Sequence, residues 1–228
     1  MGAIYGIGGM VLIILIIVGL AIFFEYKRRQ EMETLARQFH FRFFPKDESG
    51  LLEQLEVFDL FTKGHSREIR NIMERRIKSR DILMRVFDYR YVTGSGKNSS
   101  TYNQTVIYFQ SEHLHLPQFI LHPESIFHKI GEAFGFKDID FPAYPAFSKH
   151  YRLVGKPEAR VRGAFTPPIL TFLEQEYTQK RRWWVEGQNH ELIVYRKNKR
   201  ASAKNMVEFM KVSTQIFDYF VETGTEPS

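Results

Sequence analysis

Asp81 to Val92 reads DILMRVFDYRYV, and Thr101 to Gln110 reads TYNQTVIYFQ. Both stretches are rich in β-branched and aromatic residues, which suit a pleated, half-buried surface. The eight residues between them, TGSGKNSS at Thr93 to Ser100, are turn formers. Upstream, Glu68 to Ile77 is a third strand that carries more charge. Together the three predict an antiparallel meander. That meander sets the fold class: α+β, with a mostly antiparallel sheet and helices packed on one face.

Further pieces attach on either side. Phe41 to Phe44 reads as a short strand stopped by Pro45, and Asp47 or Ser49 can cap a short helix over Leu51, Leu52 and Leu55. Downstream, Pro117 to His122 is another strand, and Glu124 to Phe134 reads as a helix that ends near Gly135. Tyr151 to Val154 is a strand. Pro157 to Phe165 and Pro167 to Tyr177 each open with a proline, as helices often do. Arg181 to Gly187 and Glu191 to Arg196 form a hairpin. Ser202 to Val221 closes the chain as an amphipathic helix, with Met206, Phe209, Met210, Ile216, Phe217 and Phe220 at helical spacings. A meander with a terminal helix is compatible with a pleckstrin-homology-like barrel, an analogy that carries no function.

Ile4 to Phe24, IYGIGGMVLIILIIVGLAIFF, holds no charge. A helix of that length covers roughly 30 Å, the depth of a bilayer core, so a single N-terminal transmembrane helix is expected over residues 1–25. The run is longer than a signal-peptide core and lacks a cleavage site. Lys27, Arg28 and Arg29 follow it, which predicts a single-pass plasma-membrane protein with its N-terminus outside and its C-terminal domain cytoplasmic. Residues 26–40 then read as a juxtamembrane amphipathic helix, with Met32, Leu35, Ala36 and Phe39 on one stripe. The soluble α+β domain is expected over 41–223 and a disordered tail over 224–228. Gly2, Gly6 and Gly9 share one helical face, the pattern through which two membrane helices approach in a homodimer.

The chain has 32 Lys and Arg against 26 Asp and Glu, a net charge of +6. A basic domain suits an acidic partner or anionic headgroups. Lys180, Arg181 and Arg182 run into Trp183 and Trp184. Cations beside indoles suit a membrane interface, so Lys27, Arg28, Arg29, Arg181, Arg182, Trp183 and Trp184 are the expected lipid-facing residues. Strand alternation offers the plainer reading, one Trp inside and one outside. No nucleic-acid partner is expected, because basicity comes here without a recognised motif.

There is no cysteine, which excludes disulfides and thiolate chemistry. His113 and His115, two apart, together with His122, Glu124 and His128, could hold a divalent metal, although their spacing matches no named motif. Gly94-Ser95-Gly96-Lys97 lacks the spacing and the following Ser or Thr of a phosphate loop. No G-x-S-x-G elbow occurs, and Gly64-His65-Ser66 places neighbours that do not converge. Asp88 lies in an apolar strand and reads as a buried carboxylate satisfied by an arginine such as Arg85 or Arg90 or by a backbone donor. No catalytic residue and no cofactor are expected. The leading reading is a membrane-anchored cytoplasmic module, non-enzymatic, that binds a protein partner or anionic lipid headgroups. The competing reading is a metal-assisted hydrolase built on the histidine cluster.

Several segments are familiar together: FDLFTKGHSREIRN from Phe58, FDYRYVTGSGKNSS from Phe87 with QTV from Gln104, LPQFILHPE from Leu116, and KIGEAFGFKDIDFPAYPAFSKHY from Lys129. They resemble a family of small bacterial membrane proteins with one N-terminal span and a soluble domain. The resemblance covers most of Phe39 to Gly155. It implies a bacterial plasma-membrane setting and brings no activity with it.

Overall fold

The computed structural model describes residues 2–124 and 137–224, with side chains described for 12–124 and 137–222. The chain is α+β. Helix α1 (Gly2–Gln38) leads into β1 (Arg42–Lys46), and the short helices α2 (Leu51–Gln54) and α3 (Asp59–Thr62) follow. The meander is β2 (His65–Ile77), β3 (Ile82–Thr93) and β4 (Ser100–Gln110). After it come β5 (Leu116–Pro123), α4 (Pro145–His150), β6 (Tyr151–Lys156), α5 (Glu158–Ala164) and α6 (Pro167–Thr178). The hairpin of β7 (Trp184–Asn189) and β8 (Glu191–Tyr195) precedes the closing helix α7 (Ala203–Gly224).

All eight strands join one sheet in the order β1-β2-β3-β4-β8-β7-β5-β6, and each neighbouring pair is antiparallel. β1 and β6 are its edges, so among the described residues the strands form an open sheet and not the barrel considered above. Pro45 does not stop β1 but lies within it, which an edge strand tolerates because one side needs no amide donor. Asp47 supplies the expected cap: its carboxylate accepts from the amides of Leu51 (3.0 Å) and Leu52 (2.8 Å).

Alternation along the strands divides the core in two. Met84, Val86, Ile107, Phe109, Val185, Leu192 and Val194 face α1, α5, α6 and α7. Phe87, Tyr89, Tyr91, Val106, Tyr108, Trp184, Ile193 and Tyr195 face the other way, under the Leu51–Phe61 segment. Both faces of the sheet centre are therefore dry. At the entry to β2, a Cβ on Gly64 (φ +62°) would lie 2.1 Å from the Val92 carbonyl oxygen, so only glycine fits that turn.

The N-terminal segment differs from expectation. Among the described residues, no helix is long and apolar enough to cross a membrane. The single-pass, plasma-membrane and cytoplasmic-domain assignments are corrected accordingly. Ile4 and the Gly2, Gly6, Gly9 face fall outside the residues with described side chains. α1 continues unbroken past residue 25 to Gln38, and its predicted stripe is real: Met32, Leu35 and Ala36 are buried against the sheet. The helix expected over Glu124 to Phe134 falls almost wholly outside the described residues. So does the tail after Gly224.

Candidate partner-binding site

The meander register places two concavities at one end of the sheet. β1 pairs with β2 from Lys46↔Arg70 to Arg42↔Glu74, and its pairing ends there. β2 runs on through Arg75, Arg76 and Ile77, which pair with Met84, Leu83 and Ile82 of β3. On their other side no strand pairs with these three residues among those described.

Alternation sends the side chains of this segment to opposite faces. Arg75 and Ile77 share the helix face with Met84, where Phe39, Phe41, Val207 and Met210 complete a mostly apolar groove of about 480 Å³. Val207 is 49% exposed, on the flank of α7 beside its buried stripe, and borders the open groove. Lys211 and Asp218 rim it, and Asp218 is paired with Arg80. The opposite face carries Glu74 and Arg76 with Arg42, Leu83 and Arg85, in a cavity of about 530 Å³ that His40 and Arg75 also border. Glu74 accepts from Arg42 and, at 2.7 Å, from Arg85. Burial pushes the Glu74 carboxyl up, but the two guanidiniums more than offset it and hold it below its usual range. Four arginines around one carboxylate leave this cavity strongly cationic. Arg75 belongs to both linings, and it donates to the Phe39 carbonyl oxygen at 3.0 Å.

Of the residues expected to face lipid, Arg28, Trp183 and Trp184 are buried. Arg28 is buried, in a two-pronged pair with Asp88: Nε to Oδ2 at 2.9 Å and Nη2 to Oδ1 at 2.9 Å. Its Nη1 donates to the Ala201 carbonyl oxygen at 2.7 Å. Thr105 and Asn71 also donate to Asp88 (2.9 and 3.2 Å). Burial alone would raise the Asp88 carboxyl; the Arg28 hydrogen bonds and charge overcome that and hold it low. The Asp88 partner is therefore Arg28 from α1, 60 residues away, and neither Arg85 nor Arg90. Trp183 and Trp184 are each 1% exposed, because both faces of the sheet are covered where β7 begins. Trp183 donates to Glu176 at 2.9 Å and stacks on Phe209; Trp184 stacks on Tyr195 and His122. Arg181 pairs with Glu176 and Glu208, and Arg182 lies over the Tyr177 ring. Lys27 and Arg29 are exposed.

His113, His115 and His122, the described histidines of the expected cluster, do not form a metal site. Among the described residues, no group of three His, Cys, Asp or Glu is placed to hold a metal. His113 and His115 sit in the exposed turn after β4, not on a strand face. His122 is buried on the Trp184 ring, where burial pushes its pKa down. Glu124 is exposed at the end of β5, and His128 lies outside the described residues.

Sequence reading missed one buried carboxylate, Glu186. It accepts from Tyr195 Oη at 2.9 Å and from the Leu60 amide at 3.3 Å, holding the α3 segment on the sheet. Burial, with the nearby Asp59 charge, raises it to about 7, against the opposing pull of Lys63, Tyr195 and Leu60. Beside it Lys197, over the Trp184 ring at 5.4 Å, is lowered to about 8 by burial and the Lys63 charge. The only sequence signal for Glu186 is a charge between Val185 and Gly187 at an inward position of a strand. Because the folded protein holds this proton to higher pH than the unfolded chain, whose carboxylate titrates near 4.5, the native state binds more protons in between. The Glu186 contribution to unfolding free energy is therefore expected to fall from about pH 4.5 to about 7 and then level off, while His122, held low by burial, contributes in the opposite sense below 6.5. Glu186→Gln should flatten that slope in urea titrations across this range. The paired carboxylates held low, Asp88 and Glu74, weaken the fold only in more acidic solution.

No family model matches the chain, and no curated protein matches it. Among solved structures, the crystal structure of the mycobacterial trehalose monomycolate transport factor A is similar, with a TM-score of 0.57. The match covers 88% of this chain and 97% of that one at 11% identity. It is a likeness of fold.

Proposed function

We propose that this chain is a non-catalytic binding module that engages a protein partner at the end of its sheet. The observation that carries this reading is the open, mostly apolar groove between the end of α1, the β2 end and α7, lined by Phe39, Phe41, Met84, Met210 and the half-exposed Val207. The buried acids and cations described above are consumed in internal pairs, so the exposed chemistry at the groove is that of recognition.

A photo-crosslinking residue in place of Lys211, on the groove rim, tests this in the native cell. A discrete adduct is expected, and Val207→Asp should remove it while leaving thermal unfolding unchanged, since position 207 is half exposed. The same crosslinker at Val57, an exposed apolar position far along the other face, is the control. Equal adducts from both positions, or none from Lys211, would overturn the reading.

A further inference from the structure

We infer that the cationic cavity of Arg42, Arg76 and Arg85 is a binding site for a diphosphate group. The inference goes beyond the partner-binding reading and does not rest on it, because this cavity and the apolar groove open on opposite faces of the sheet.

Strand register builds the site. Arg42 of β1, Glu74 of β2 and Arg85 of β3 stand across from one another, and Arg76 follows two residues along β2 on the same face. Three neighbouring strands therefore bring guanidiniums to one hollow of about 530 Å³, a size within the range of small-molecule sites. Glu74 engages Arg42 and Arg85 from between them, which holds both in position. Arg85 is further fixed over the Tyr108 ring, 5.8 Å from its centroid.

Charge decides the class of ligand. Four arginines line the cavity against one carboxylate, an excess of three positive charges. Arg76 is the least neutralised: its carboxylate contact among the described residues, Asp81, is 4.0 Å away. All four cations are arginines, whose planar forks match phosphoryl oxygens better than an ammonium does. A carboxylate accepts within one plane, whereas a phosphoryl group offers three oxygens in different directions, which suits donors arriving from three strands. One phosphoryl group brings a charge of about −1.5 to −2 near pH 7 and offsets only part of the excess; two come closer to matching it. Apart from His40 and Leu83 the lining is wholly charged, so the site grips the anionic group and not a ring or chain carried with it.

Calorimetric titration of the full chain in metal-free buffer tests this, with inorganic pyrophosphate, orthophosphate and citrate compared at equal ionic strength. Pyrophosphate is expected to bind about tenfold more tightly, or better, than orthophosphate and than citrate, which carries its charge on carboxylates. Arg76→Gln, at an exposed position, should weaken pyrophosphate about fivefold or more, with the unfolding midpoint in its absence unchanged. Lys97→Gln removes one positive charge at the other end of the meander, in the turn between β3 and β4, and should leave the affinity unchanged. ADP separates the sources: tighter binding than pyrophosphate assigns the group to a nucleotide, and equal or weaker binding assigns it to a free diphosphate. No binding of pyrophosphate at 1 mM, equal binding of citrate or orthophosphate, full retention in Arg76→Gln, or an equal loss in Lys97→Gln would each overturn the site. Those results would leave the Lys211 crosslink untouched, so failure of this site is distinct from failure of the partner-binding reading.

Discussion

Arg28→Ala is expected to lower unfolding free energy by about 3–5 kcal/mol in urea denaturation, because it strands Asp88 as a buried, uncompensated charge. The pair ties α1 to β3, and through the Ala201 carbonyl and Thr105 it also ties α1 to β4 and the loop before α7. Losing one guanidinium therefore loosens three elements together. Arg28→Lys should recover only part of the loss, since an ammonium cannot make both prongs and reach Ala201. The double replacement Arg28→Met with Asp88→Leu provides the sharper test. Removing both charges avoids the stranded carboxylate, so the double variant is expected to be more stable than Arg28→Ala. If Arg28 instead served an external anionic surface, Arg28→Ala would leave lipid-free stability unchanged.

Trp183→Ala is the second large effect, about 3–5 kcal/mol from the cavity left by the largest side chain. Trp183 fills the helix-side core against Phe209 and satisfies Glu176, itself 4% exposed. Truncation removes this packing and takes a donor from a buried carboxylate that then depends on Arg181. At this chain length, such a loss lowers the melting temperature by on the order of 10 °C. Trp184→Ala should act similarly on the opposite face, where the indole stacks on His122 and Tyr195. Scanning calorimetry without lipid separates this from an interfacial role, under which neither change would move the melting temperature.

Local pattern determined a good deal. The meander was legible because three strands follow one another through short turns, so period-two alternation and turn residues suffice to read them. The amphipathic helix 203–224 and the stripe Met32, Leu35, Ala36 were legible for the same reason: each is a local periodicity with a long enough run. Asp47 as a cap lies within five residues of the amides it serves. The absence of thiol chemistry followed from composition alone.

What tertiary structure decided are relations between distant residues. Alternation put Trp183 and Trp184 on opposite faces, but only the Leu51–Phe61 segment, over 120 residues earlier, made the second face dry. Asp88 announced that it needed a cation; the nearest arginines in sequence were the natural guess, and the guanidinium came from α1 instead. Arg28, Lys27 and Arg29 are chemically alike in sequence, yet the helical turn buries the first and exposes the others. The histidines between 113 and 122 are close in sequence, but a turn and an inward strand position send them apart. The two cavities beside Arg75–Ile77 arise where β1 begins opposite Glu74, three residues short of the end of β2, and strand register is a property of the sheet as a whole.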